Sequence, residues 1–142
     1  KGEPRLMSYE SLADGGFVTG TALGSGGFIA LDETTSIVKN LYNFTRFYHH
    51  ESCGQCSPCR EGTGWMEKIL HRIIEGKGKM SDIDLLWDVQ TKIDGRTICP
   101  LGDASAWPLA SAIRHFRSEF EQLIKSQQKV KDVSYLGELA EA

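Results

Sequence analysis

The chain has 142 residues, 40% hydrophobic and 25% charged, with a formal net charge of −3. That composition suits one ordinary core with a small appendage, and Lys and Arg are scattered rather than gathered into a stripe, so nucleic-acid binding by counterion release is excluded. No apolar run approaches the roughly 18 residues that a membrane-spanning helix needs, and the opening KGEPRLMSYE lacks the apolar centre of a secretion signal. A soluble, cytoplasmic chain without direct membrane insertion is expected. Its first residue is not Met, which reads as a fragment or a processed C-terminal piece.

Residues 1–32 are rich in Gly and carry two short apolar runs, Phe17-Val18 and Phe28-Ile29-Ala30-Leu31, around the turn-rich stretch Gly20 to Gly27. Two short strands are expected there. After Asp32 the periodicity changes. Ile37, Leu41, Phe44 and Tyr48 recur at three- and four-residue steps behind Thr34, Thr35 or Ser36 as a cap, giving a first helix that ends near Ser52. A second helix starts around Ser57-Pro58, with Ser57 as cap, and runs along Met66, Ile69 and Ile73 until Gly76 or Gly78.

Ser81 or Asp82 caps a third helix, whose stripe is Leu86, Val89 and Ile93 before Gly95. The fourth opens between Ser105 and Pro108 and carries Leu109, Ile113, Phe116, Phe120 and Leu123 to about Gln128. The fold class follows: mainly α, a four-helix bundle preceded by a short β segment. In residue numbers, 1–32 form the β segment, 33–128 the helical bundle, and 129–142 a tail or docking arm.

The chemistry lies in the cysteines. Cys53, Cys56 and Cys59 are spaced C-x2-C-x2-C, and Cys99 follows far downstream. A tight trio plus one remote thiol fits a cubane [4Fe-4S] cluster, because each thiolate in the run can take a different iron corner and the distant one closes the fourth. Cys99-Pro100 also matches the Cys-Pro ending of bacterial ferredoxin motifs. Two other readings stay open: four thiolates can make a tetrahedral zinc site, although such sites favour paired knuckles, and an even cysteine count permits two disulfides, although crowding argues against them.

Around the thiols, Gly54 permits a positive φ between ligands, and Cys59 falls in the first turn of a helix, where unpaired N–H groups suit cluster sulfurs. Arg60 and Arg96 either offset thiolate charge or are ordinary solvated arginines. His49 and His50 are read as stabilising the end of the first helix rather than as ligands. Gly24-Ser25-Gly26-Gly27 invites a phosphate-loop reading, but a strand pattern follows it and no helix N-terminus faces an anion, so a turn is the better account. Trp65, Trp87 and Trp107 are assigned to core or interface packing. No catalytic side-chain set is assigned.

ESCGQCSPCREGT at 51–63 and GRTICPLGD at 95–103, with LGSGGFIALDE, FTRFYHHES and WPLASAIRHFRSEFE, resemble the NADH-binding flavoprotein (51 kDa-type) subunit of respiratory complex I, the NADH:quinone oxidoreductase. Related subunits occur in NAD-reducing hydrogenases and NAD-dependent formate dehydrogenases. The likeness covers most of residues 5–122. It implies that Cys53, Cys56, Cys59 and Cys99 bind one [4Fe-4S] cluster, which takes electrons from FMN and passes them along further iron–sulfur centres toward quinone. It also implies that residues 1–32 are the end of a β-grasp-like domain. The family's FMN- and NADH-binding glycine-rich segments lie upstream and have no counterpart here, so this chain alone should not oxidise NADH. The implied partners are other peripheral-arm subunits of a complex I-like assembly, which would hold the chain on the inner face of the membrane. Pro100 departs from the small residue, such as Ala, that the family pattern leads one to expect, and stiffens the loop after Cys99.

Overall fold

A computed structural model describes residues 27 and 29–130. Within them the chain forms four helices: α1 (Ile37–Glu51), α2 (Ser57–Ile74), α3 (Ser81–Ile93) and α4 (Leu101–Ser126). Contacts divide the chain into Lys1–Thr34 and Thr35–Ala142, and the helices all belong to the second unit. Consecutive helices pack against one another, α4 closes back on α1, and α2 touches α4 across the bundle. No described helix is long and apolar enough to cross a membrane.

The expected strands fare differently. Phe17-Val18, Phe28 and the Gly20–Gly26 turn lie outside the described residues. Ile29, Ala30 and Leu31 are irregular and exposed rather than extended in a strand. A strand needs a ladder partner, and none is formed among the described residues. Asp32 then turns the chain, its Oδ1 accepting from the Thr34 N–H at 3.1 Å and the Thr34 hydroxyl at 2.8 Å.

Helix α1 begins where Ser36 accepts the Lys39 N–H at 3.2 Å. The Ser36 hydroxyl in turn donates to Glu119 Oε1 of α4 at 2.7 Å, so the cap also ties two helices together. The α1 stripe is rotated from the expected one: Val38, Leu41 and Thr45 are buried, while Phe44 and Tyr48 are only half-buried. Thr45 fits the apolar face because its hydroxyl donates to the Leu41 carbonyl at 2.8 Å, leaving its methyl to pack.

In α2 and α3 the stripes are as expected, with Met66, Ile69, Ile73, Leu86, Val89 and Ile93 all buried. The helices also begin where expected, but their caps differ. Cys56 and Met80 take the N-cap positions, so Ser57 and Ser81 are first helical residues and give no side-chain cap. Asp82 is in the first turn of α3, nearly fully buried, and receives Arg72 Nε at 3.0 Å and the Lys79 N–H at 2.8 Å. Burial alone would raise its carboxyl pKa; the Arg72 guanidinium and the Lys79 N–H outweigh that and hold it below the usual carboxylate range.

Helix α4 starts at Leu101, several residues before the Ser105–Pro108 start expected, and Pro108 lies inside it. At about 1.5 Å per residue its 26 residues span roughly 39 Å. The helix kinks at Phe116 (φ −128°, ψ 23°), which turns that ring out to solvent. The buried face is therefore Leu109, Ile113, Phe120 and Ile124, with Leu123 packed beside it. Trp87 is partly buried against the core, but Trp65 and Trp107 are more than half exposed, so of the core and interface roles assigned to them the core one does not apply.

After α4, Gln127 takes a left-handed conformation, Val130 donates its N–H to the Ile74 carbonyl at 2.9 Å, and Lys129 pairs with Glu75 at 2.9 Å. The first two residues of the expected tail are thus fastened to the end of α2. The remainder, 131–142, lies outside the described residues.

Candidate metal centre

The up-down order of the helices places the end of α1, the start of α2, the end of α3 and the start of α4 at one end of the bundle. All four cysteines belong to that end. Cys53 follows α1, Cys56 is the N-cap of α2, Cys59 lies in the first turn of α2, and Cys99 immediately precedes Pro100, the N-cap of α4. Cys53 and Cys99 are exposed, Cys56 is intermediate, and Cys59 is buried; none is in a disulfide. The disulfide reading is therefore not realised.

The turn carrying Cys53 is built by its neighbours. Ser52 Oγ accepts the Gly54 N–H at 3.3 Å, and Gly54 adopts φ +78°, a region where a side chain would be strained. Arg60 reaches back from α2 and donates to the Gly54 carbonyl at 2.7 Å and to Ser57 Oγ at 3.4 Å. Arg60 is thus a partly exposed side chain that clamps the Cys53 loop.

The loop to Cys99 is fixed from α4. Gly95, at φ +68°, donates its N–H to Asp103 Oδ1 at 2.7 Å, and Trp107 Nε1 donates to Asp94 Oδ1 at 3.0 Å. Thr97 donates to the Cys99 carbonyl at 2.9 Å and packs so closely on Gly102 that a Cβ there would collide with it. These contacts aim the Ile98 N–H at Cys56 Sγ, 3.4 Å away. Two cysteine-bearing segments far apart in sequence are joined by that one hydrogen bond.

The electrostatics suit anionic sulfur. Helix α2 has no side-chain N-cap and no acidic residue in its first turn, so its positive end lies at Cys56 and Cys59. A thiolate at Cys56 would also receive the Ile98 N–H. Among the described residues, no three His, Cys, Asp or Glu side chains converge on a single ion position. A cubane does not ask for one, since each thiolate binds a separate iron corner. The donor set, four free thiols on two braced loops, fits such a group.

The histidines are placed elsewhere. His49 Nδ1 lies 2.6 Å from Glu67 Oε2, and its ring covers Gly64 of α2, while His50 sits 3.0 Å from Glu51. Both belong to the last turn of α1, as expected. Sequence reasoning misses Ser52, Thr97, Asp103 and Glu119. Pro100 followed by Asp103 is an available helix-start signal, placing Asp103 in the first turn; nothing in sequence singles out Ser52 or Thr97.

Residues 39–123 match the family described as the NADH-ubiquinone oxidoreductase-F iron–sulfur binding region. The chain is 50% identical over 124 residues to the NADH-quinone oxidoreductase F subunit of Rickettsia massiliae, and 45% identical over 119 residues to an F subunit of the same enzyme from Rhizobium meliloti. Those alignments cover 87% and 84% of this chain but only 28% and 26% of the relatives. The chain thus spans little more than a quarter of the curated relatives it matches. In structure it resembles an NAD+-reducing [NiFe]-hydrogenase in its H2-reduced state, with a TM-score of 0.62 and 30% identity over 78% of this chain and 19% of that one.

Proposed function

Since the chain belongs to the family of the NADH-ubiquinone oxidoreductase-F iron–sulfur binding region, whose cofactor is a [4Fe-4S] cluster, we propose that Cys53, Cys56, Cys59 and Cys99 are the four ligands of one such cluster. When bound, the cluster supplies a one-electron store. The chain's own residues hold and orient the thiolates: Arg60 and Gly54 shape the trio loop, Thr97 and Asp103 shape the Cys99 loop, and the N-terminus of α2 meets the negative charge of Cys56 and Cys59. The observation that carries the reading is the Ile98 N–H on Cys56 Sγ, which draws the remote ligand's loop to the trio.

In this reading the chain is the electron-relay domain of an NADH:quinone oxidoreductase. Electrons arrive from FMN reduced by NADH and leave toward further iron–sulfur centres. FMN and NADH would be bound by the rest of the longer subunit, and the partners would be other subunits of the peripheral arm at the inner face of the membrane. Residues 33–128 form the relay domain itself, with 1–32 the end of a β-grasp-like domain and 129–142 the tail. Names of the relatives support this assignment: both curated relatives are quinone oxidoreductase subunits, and the structural neighbour reduces NAD+.

The test is anaerobic reconstitution followed by iron, sulfide and zinc analysis. A brown protein with about four irons and four sulfides per chain is expected. Zinc alone in a colourless folded protein would instead make the chain a zinc-stabilised interaction module, with metal-dependent folding and no visible absorption. A paramagnetic signal induced by dithionite would exclude that module.

A further inference from the structure

Ser52 ends α1 and presents its hydroxyl to Cys59, with Oγ 3.3 Å from Sγ. The same oxygen accepts the Gly54 N–H at 3.3 Å. A hydroxyl has one proton to give and lone pairs to receive with. With the Gly54 N–H already directed at the oxygen, the hydroxyl proton remains for the sulfur. A thiolate has no proton of its own, so once Cys59 is a metal ligand the direction of the bond is fixed: Ser52 donates.

We infer that Ser52 is a positioning residue that sets the reduction potential of the cluster through Cys59, by donating its hydroxyl hydrogen bond to that thiolate. This deepens the reading of Cys59 as a ligand and rests on it. Each one-electron reduction adds one negative charge to the iron–sulfur group, and part of that charge resides on the ligand sulfurs. A donor aimed at sulfur stabilises the reduced state more than the oxidised one and so raises the potential. Cys59 is where such a bond has most effect, because it is the one buried cysteine of the four, 7% exposed, and water competes least there. The acceptor is held rigidly as well: Thr63 donates to the Cys59 carbonyl at 2.7 Å from inside the buried face of α2. The Ile98 N–H on Cys56 is main-chain, so among these two sulfur contacts Ser52 is the one that a side-chain substitution can remove.

The experiment is a potentiometric titration, followed by EPR, of the full chain reconstituted anaerobically as wild type, Ser52→Ala, Ser52→Thr and Ser52→Val, with iron counted in each. Wild type that fails to take up about four irons refutes the cluster itself. Given a loaded wild type, Ser52→Ala and Ser52→Val are expected to retain the same iron content while their one-electron reduction equilibrium shifts toward the oxidised state by up to about tenfold, equivalent to about 59 mV for one electron. Ser52→Thr, which keeps the hydroxyl, is expected to titrate with the wild type. Equal potentials for Thr and Val would overturn the inference. So would an Ala variant that loses helical structure or iron, because Ser52 would then be a structural residue and not a tuning one.

Discussion

The middle of the bundle and its cysteine end are stabilised by different physics. Around Phe120, Leu70, Leu86 and Met66 the side chains are fully buried, and stability comes from apolar area removed from water. At the other region, Cys53 and Cys99 are exposed and Ile98 is 86% exposed, so little burial is available. There the loops are fixed by directed contacts: Arg60 on Gly54, Asp103 on Gly95, and Thr97 wedged against Gly102. A core of this kind tolerates a lost hydrogen bond at its rim. A loop that is to hold a cluster does not tolerate a misplaced backbone, because its thiolates would have to reach fixed iron corners. Stability and metal retention should therefore respond to different substitutions.

Phe120→Ala should show the largest effect on stability, about 3–5 kcal/mol in urea unfolding, with the folded fraction still able to take up iron. Asp82→Ala breaks the link from α2 to α3 and should cost about 1.5–3 kcal/mol, toward the lower figure because the Arg72 side chain is 41% exposed. Its pH dependence has a definite sign. The depressed pKa of Asp82 means that its contribution is complete above the ordinary carboxylate range, about pH 4, and is lost as pH falls through the lower value of the folded chain. The gap between wild type and Asp82→Ala in urea should narrow on acidification below that range; a gap that widens would contradict the assignment.

Gly102→Ala should destabilise by about 1–2 kcal/mol through overpacking against Thr97, yet lower iron retention more than Phe120→Ala does. Equal retention in the two would erase the distinction between body and end. Arg60→Ala should change urea stability by less than about 1 kcal/mol, as a partly exposed contact, while hastening loss of iron under air. An unchanged rate would remove Arg60 from the loop's support.

Most of the body is legible from periodicity. Met66, Ile69, Ile73, Leu86, Val89 and Ile93 lie on the buried faces that their spacing implies. The stripe of α1 misleads because Thr45 looks polar, whereas its hydroxyl is satisfied within its own helix. Phe116 misleads because the kink at that residue breaks the helical period. The expected start of α4 falls too late because Pro108 resembles a first-turn proline, although Pro100 and Asp103 carry the better signal. At the site, the cysteine types and the cubane spacing are readable. The braces are not, since Thr97 on Gly102 and Arg60 on Gly54 depend on backbone directions that appear only after the helices have packed.

Whether the remote cysteine and the tight trio serve one cluster is decided by iron counting on wild type and Cys99→Ala reconstituted side by side without oxygen. About four irons per chain in the wild type, and fewer in Cys99→Ala with an altered EPR signal, are the results expected. Four irons and an unchanged spectrum in the variant would contradict the account.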